Sequence, residues 1–321
     1  MRKHVIVSIL CVLLAVLTLI WGLTPITSTH TQVSGGTVAL LLDTDIGAGA
    51  LQMKQGAKQA AKEQKVELIT ATADYSANAA QSQADLMMQL LSRNVKAVLL
   101  VPVQGADLSE PLKEAERRKV PVLTLGETPI LGGTACTISA NHEEAGALAA
   151  QALLDRLTVP GRALLLTGDA ADDAAALRKK GTMKVLEGKS DFQVLREASL
   201  DGKSPDDVLA ILQSSREINC ILALTGNATE TCALAMGRYA MDIPLVGMDC
   251  GQNRNLYLEN GQVDAMVLGM PFAMGYLGVQ FAMQALSGKD IPDWYFTESR
   301  VIDNENMYLP ENQKLAFPLL Q

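Results

Sequence analysis

The chain has 321 residues, 48% of them hydrophobic and only 4% aromatic, with a net charge of −8 at pH 7. The length suggests two domains, and the composition a core of Ala, Val, Leu and Met. The acidic balance excludes a nucleic-acid partner, which needs a basic footprint to displace phosphate counterions.

Arg2 and Lys3 precede Val5 to Leu23, an uncharged apolar run of 19 residues. As a helix it would span about 29 Å, close to the thickness of a bilayer core. The basic end should stay in the cytoplasm, so the rest is expected outside it, in the periplasm or at the cell surface. Two readings stand for residues 1–23: a retained membrane anchor or a cleaved signal peptide. The run is longer than the usual signal core, and Thr24 to His30 offers a poor cleavage site, so the anchor leads. Residues 24–36 read as a Thr/Ser/Gly-rich linker.

From there strands and helices alternate. Short apolar runs predict strands at Val38–Leu42, Val66–Thr70, Ala97–Val101, Val120–Leu125 and Ala135–Ile138. A second series follows at Ala163–Thr167, Phe192–Leu195, Cys220–Leu224, Leu245–Met248 and Ala265–Leu268. Helical spacing fills the gaps, as in Leu51–Gln64 and Ala79–Ser92. Asn141-His-Glu-Glu144 and Ser204-Pro-Asp-Asp207 look like helix starts, and Pro271 opens a helix that ends at Ser287-Gly288. Strand–helix order repeated twice predicts an α/β fold: two lobes, each a parallel sheet covered on both faces.

In such sheets ligands sit beyond the carboxyl ends of the strands. Polar residues gather there. Asp43, Asp45 and Gly47-Ala48-Gly49-Ala50 follow the first strand. Gly126-Glu127 follows the fourth, and Gly168-Asp169 and then Arg178 follow Ala163–Thr167. Asn227 and Thr229 follow Cys220–Leu224, Asp249 follows Leu245–Met248, and Gly269 follows Ala265–Leu268. Asp43, Asp169 and Asn227 could equally be helix caps. A dinucleotide fingerprint is excluded, because its third glycine position holds Gln52 and no acid follows the second strand where one is required.

No catalytic constellation emerges. Two of the three histidines, His4 and His30, lie in the anchor and linker. His142 lies in the first turn of a helix, where it is expected to be exposed. The five cysteines show no C-x-x-C spacing, so no zinc site is expected, and buried free thiols are the simplest reading. The chain is therefore expected to be a binding protein without metal or cofactor, and not an enzyme.

Several stretches together resemble a known family. They are MKQGAKQAAKEQKVELI, QADLMMQLLSRNVKAVLLVPVQGADLSEPLKEAERRKVPVLTL, ISANHEEAGALAAQALL, PLVGMDC and ENGQVDAMVLGMPFAMGYLGVQFAMQAL, within about residues 37–290. The chain is similar to periplasmic sugar-binding proteins of the ribose-binding type, the substrate receptors of ABC importers. That resemblance implies the type I binding-protein fold, with two Rossmann-like lobes joined by three hinge strands. The chain would cross near Ala140, return near Met270 and cross again near Ile291–Trp294. The lobes would be 37–139 with 271–293, and 140–270 with 294–321. A carbohydrate-like ligand would sit between them and pass to an ABC permease. The alternative is a membrane-tethered sensor serving a signalling protein such as a histidine kinase.

The resemblance also implies roles. Asp249 matches the family's ligand-binding Asp. Asn227 or Thr229 falls where the family has an Asn, and Arg178 falls near its ligand-binding Arg. Asp43, Asp45, Gly49, Glu127 and Gly269 complete the expected cleft. The departures are informative. Gly49 and Ala50 stand where the family carries aromatic rings, Gly126-Glu127 stands for Asp-Arg, and Gly269 stands for a Gln. A cleft without those rings is roomier and offers a sugar face no stacking surface.

Overall fold

A computed structural model describes residues 36–44, 47–74, 78–126, 132–168 and 172–317. The anchor or signal expected over residues 1–23 lies outside them, as do Asp45, Glu127 and Asp169. Among the described residues no helix is long and apolar enough to cross a membrane.

The first sheet holds β1 (Thr37–Leu42), β2 (Glu67–Thr72), β3 (Ala97–Leu100), β4 (Val122–Leu125), β5 (Cys136–Ala140) and β11 (Trp294–Thr297), in the order β11-β5-β4-β3-β1-β2. Every neighbouring pair is parallel. The second sheet holds β6 (Gly161–Thr167), β7 (Phe192–Ser199), β8 (Cys220–Ala223), β9 (Leu245–Met248), β10 (Ala265–Leu268) and β12 (Arg300–Asp303), in the order β12-β10-β9-β8-β6-β7. Only β12 runs antiparallel to its neighbour.

Five helices pack on the first sheet or follow its strands: α1 (Ala48–Gln64), α2 (Ala79–Ser92), α3 (Ser109–Arg117) and, later in the chain, α9 (Pro271–Leu286) on the same sheet, while α4 (His142–Leu154) has already passed to the second. The second lobe adds α5 (Asp173–Leu186), α6 (Pro205–Ser214), α7 (Gly226–Tyr239), α8 (Arg254–Glu259) and α10 (Pro310–Ala316).

The apolar runs are strands because both faces are covered. In β1, Val38, Leu40 and Leu42 enter the core beneath α1 and α9, whereas Ala39 and Leu41 enter the core beneath α2 and α3. Period-two alternation sends successive side chains to opposite cores, so no polar position is left between Val38 and Leu42. β8 divides likewise, with Ile221 and Ala223 on one side and Cys220 and Leu222 on the other. Cys136, Cys220, Cys232 and Cys250 are buried free thiols. Burial pushes their pKa values to about 11 for Cys136 and Cys220 and about 12 for Cys232 and Cys250.

Helices α1 and α9 cross at glycines. An ideal Cβ on Gly56 would lie 1.9 Å from the Phe272 carbonyl oxygen, and one on Gly275 would lie 2.0 Å from that of Met53. The two backbones touch there, and any side chain would separate them.

The chain passes from the first sheet to the second after β5 and back after β10. The third crossing differs from expectation. β11 still pairs with β5, so the chain leaves the first sheet at Glu298-Ser299 rather than at Ile291–Trp294.

Candidate functional site

The carboxyl ends of the two sheets face a shared cavity of about 380 Å³. From the first lobe Gly49, Met53, Gly126, Ala140, Pro271 and Met274 line it. From the second come His142, Ala145, Asp172, Arg178, Thr225, Gly226, Met248, Asp249, Val267 and Gly269, with Ser299 at the third crossing.

Helix starts deliver most of the polar wall. Asp172 Oδ1 accepts the Ala175 amide at 2.9 Å and opens α5, which carries Arg178 inward. Thr225 Oγ1 accepts the Ala228 amide at 3.2 Å and opens α7. Asn141 Oδ1 accepts the Glu144 amide at 3.2 Å and opens α4. These caps satisfy amides that have no intrahelical partner.

Asp249 lies just after β9. Its Oδ1 accepts the Gly251 amide at 3.0 Å, and its Oδ2 pairs with Arg254 Nη1 at 3.0 Å. Both carboxylate oxygens are acceptors, the chemistry that hydroxyl donors of a ligand require. Arg178 is buried and donates from Nη1 to the Leu224 carbonyl at 3.1 Å. A fixed acceptor and a fixed guanidinium on one wall are suited to a molecule carrying several hydroxyls. No Phe, Tyr or Trp lies among the described lining residues; Met53, Met248 and Met274 supply the larger apolar surface. No cluster of three metal-ligating side chains occurs among the described residues.

Of the expected residues, Gly49, Arg178, Asp249 and Gly269 come together in this cavity. Asp43 does not line it; its Oδ1 accepts the next amide, that of Thr44, at 2.7 Å. Asn227 is exposed and turned away, 3.4 Å from Asp201 Oδ1. Thr229 is one turn too deep. It is fully buried, donates to the Thr225 carbonyl at 2.8 Å and accepts the Met248 amide at 2.9 Å. That hydroxyl is a brace between α7 and β9. Thr225 holds the place on the wall that had been expected of Asn227 or Thr229. The signal for it was its position directly after Leu224, ahead of a Gly that starts a helix.

His142 corrects another expectation. It is only 5% exposed and forms part of the wall, with Nε2 3.4 Å from Ser139 Oγ. Asn141 caps α4 at the crossing itself, which turns the first helical residue into the cleft.

A model of the periplasmic binding protein domain matches residues 38–290. The ribose import binding protein of Bacillus subtilis is 22% identical over 256 residues, which span 79% of this chain and 83% of that protein. The D-allose-binding periplasmic protein of Escherichia coli is 23% identical over 303 residues, spanning 84% and 96%. A xylitol-binding protein of Mycolicibacterium smegmatis is 28% identical over 167 residues, spanning 51% and 46%. Among solved structures, an ABC transporter periplasmic solute-binding protein from Actinobacillus succinogenes with bound D-allose superposes with a TM-score of 0.76. It is 20% identical and covers 84% of this chain and 98% of its own, a likeness of fold.

Proposed function

The chain belongs to the periplasmic binding protein domain family, whose members bind solutes rather than catalyse reactions, and from that premise we propose that it captures a sugar or sugar-like polyhydroxylated solute outside the cytoplasm for an ABC importer. One observation carries the reading: Asp249 and Arg178, each held by the protein's own hydrogen bonds, face the same interlobe cavity. Groups fixed in advance lose little freedom when a ligand arrives. Asp249 accepts hydroxyl donors, Arg178 donates to hydroxyl or ring oxygens, and Thr225 does either. The relatives named for ribose, D-allose and xylitol support a hydroxylated ligand. The sensor alternative rested on an N-terminal anchor that lies outside the described residues, and it gains no support from these comparisons.

Titration calorimetry with D-ribose, D-allose and xylitol tests the proposal. Saturable binding of at least one solute, weakened tenfold or more in Asp249→Asn, is expected. Asparagine is chosen because alanine would remove the side-chain oxygen beside Arg254 Nη1 and leave that buried charge only backbone carbonyls. Equal affinity in the parent and Asp249→Asn would remove Asp249 from the site.

A further inference from the structure

Behind the cavity wall a second polar assembly crosses between the lobes. Gln52 belongs to α1, whose buried face packs in the first lobe. Its side chain is 2% exposed, and Nε2 donates to the Lys314 carbonyl at 2.6 Å. Lys314 lies in α10, whose Leu315 and Ala316 enter the core of the second lobe. Arg254 reaches the same helical turn from the other side. It is 1% exposed, donates from Nε to the Gly251 carbonyl at 2.8 Å and from Nη1 to the Leu315 carbonyl at 3.3 Å, and pairs with Asp249.

Two atoms of this assembly are left over. Gln52 Oε1 and Arg254 Nη2 are buried, and neither finds a hydrogen-bond partner among the described residues. One is an acceptor and the other a donor. They sit on opposite lobes, on side chains anchored to adjacent carbonyls of one helical turn. Burying such groups unpaired is costly, and pairing them removes that cost.

We propose that Gln52 and Arg254 form an interlobe latch. Closure of the lobes brings Gln52 Oε1 onto Arg254 Nη2, and Arg254 simultaneously fixes Asp249 in the cavity. Arg254 is thus a positioning residue that ties lobe closure to the placement of the carboxylate. The link to ligand rests on the proposed role of Asp249, but the latch itself can be read without ligand.

The experiment uses the full chain with Cys11→Ser, and with spin labels at Lys58→Cys on the first lobe and Asn260→Cys on the second, both exposed positions. The remaining thiols are buried with raised pKa values and label slowly. Pulsed electron paramagnetic resonance then gives the interlobe distance distribution of the ligand-free protein. Gln52→Leu, which cannot hydrogen-bond, should shift the distribution to longer distance. Arg254→Met should do the same, and the double variant should go no further than either single one. Gln52→Glu keeps an acceptor for Arg254 but gives up the Nε2 donor to the Lys314 carbonyl, so it should retain more of the short-distance population than Gln52→Leu. A folded Gln52→Leu variant with the parent's distribution would overturn the latch, and so would additive shifts in the double variant. If no sugar binds yet these shifts occur, the sugar reading fails and the latch stands. If sugar binds and the shifts are absent, the reverse holds.

Discussion

Thr229→Val isolates one atom of the brace behind the cavity. Valine keeps the branched shape and removes the hydroxyl that accepts the Met248 amide at 2.9 Å and donates to the Thr225 carbonyl at 2.8 Å. That carbonyl still accepts the Thr229 amide at 3.0 Å, so it is not orphaned. The Met248 amide, in contrast, loses this acceptor in a fully buried place. A buried donor without a partner costs about 1–3 kcal/mol, so a loss near 2 kcal/mol is expected. In a chain this long that corresponds to a fall in Tm of about 4 °C. Gly247 explains why the site cannot rearrange cheaply, since an ideal Cβ there would lie 2.3 Å from Thr229 Oγ1; strand and helix are already in contact. Denaturant unfolding at constant m-value is the assay, with Thr229→Ser as the control that keeps the hydroxyl. An unchanged midpoint in Thr229→Val, with weakened ligand binding, would show that the hydroxyl serves ligand and not the fold.

Further outcomes are expected elsewhere. Gly275→Ala places a methyl group against the Met53 carbonyl, a backbone atom that cannot swing aside. The cost of forcing α1 and α9 apart, about 1–3 kcal/mol, exceeds the helix-propensity gain of about 1 kcal/mol, so its denaturant midpoint should fall. Glu114 is held at a pKa of about 2, below its ordinary 4.5, chiefly by its hydrogen bonds to Arg117 and then Arg118. A lowered acid stabilises the folded state above its unfolded pKa. Parent and Glu114→Gln should therefore differ most above pH 4.5, by a small amount because both arginine partners are exposed to solvent, and should converge as the pH falls through about 2.

What could be read from residues alone follows burial. β9 and β10 match their expected bounds because Leu245–Met248 and Ala265–Leu268 are apolar throughout and buried on both faces. The edges were harder. Trp294, Tyr295 and Phe296 in β11 are exposed, so the strand at the third crossing carries no core signature. β7 runs on to Ser199 through Arg196 and Glu197 because an edge strand tolerates polar residues. In the site, Asp249 and Arg178 were identifiable by position after a strand and within a helix. Thr225 was missed by two residues because neighbouring polar side chains compete for a place that only the start of α7 decides. His142 was expected at the surface because sequence does not show that the lobe crossing falls on its own helix cap.

The most direct test of the account is native mass spectrometry of the full chain purified from a rich growth extract. A small-molecule adduct with the mass of a sugar or polyol, present in the parent and lost in Asp249→Asn, is the predicted result. An adduct that persists in Asp249→Asn, or a parent that carries none and shows no heat with D-ribose, D-allose or xylitol, would contradict the assignment of this cavity to a hydroxylated solute held by Asp249.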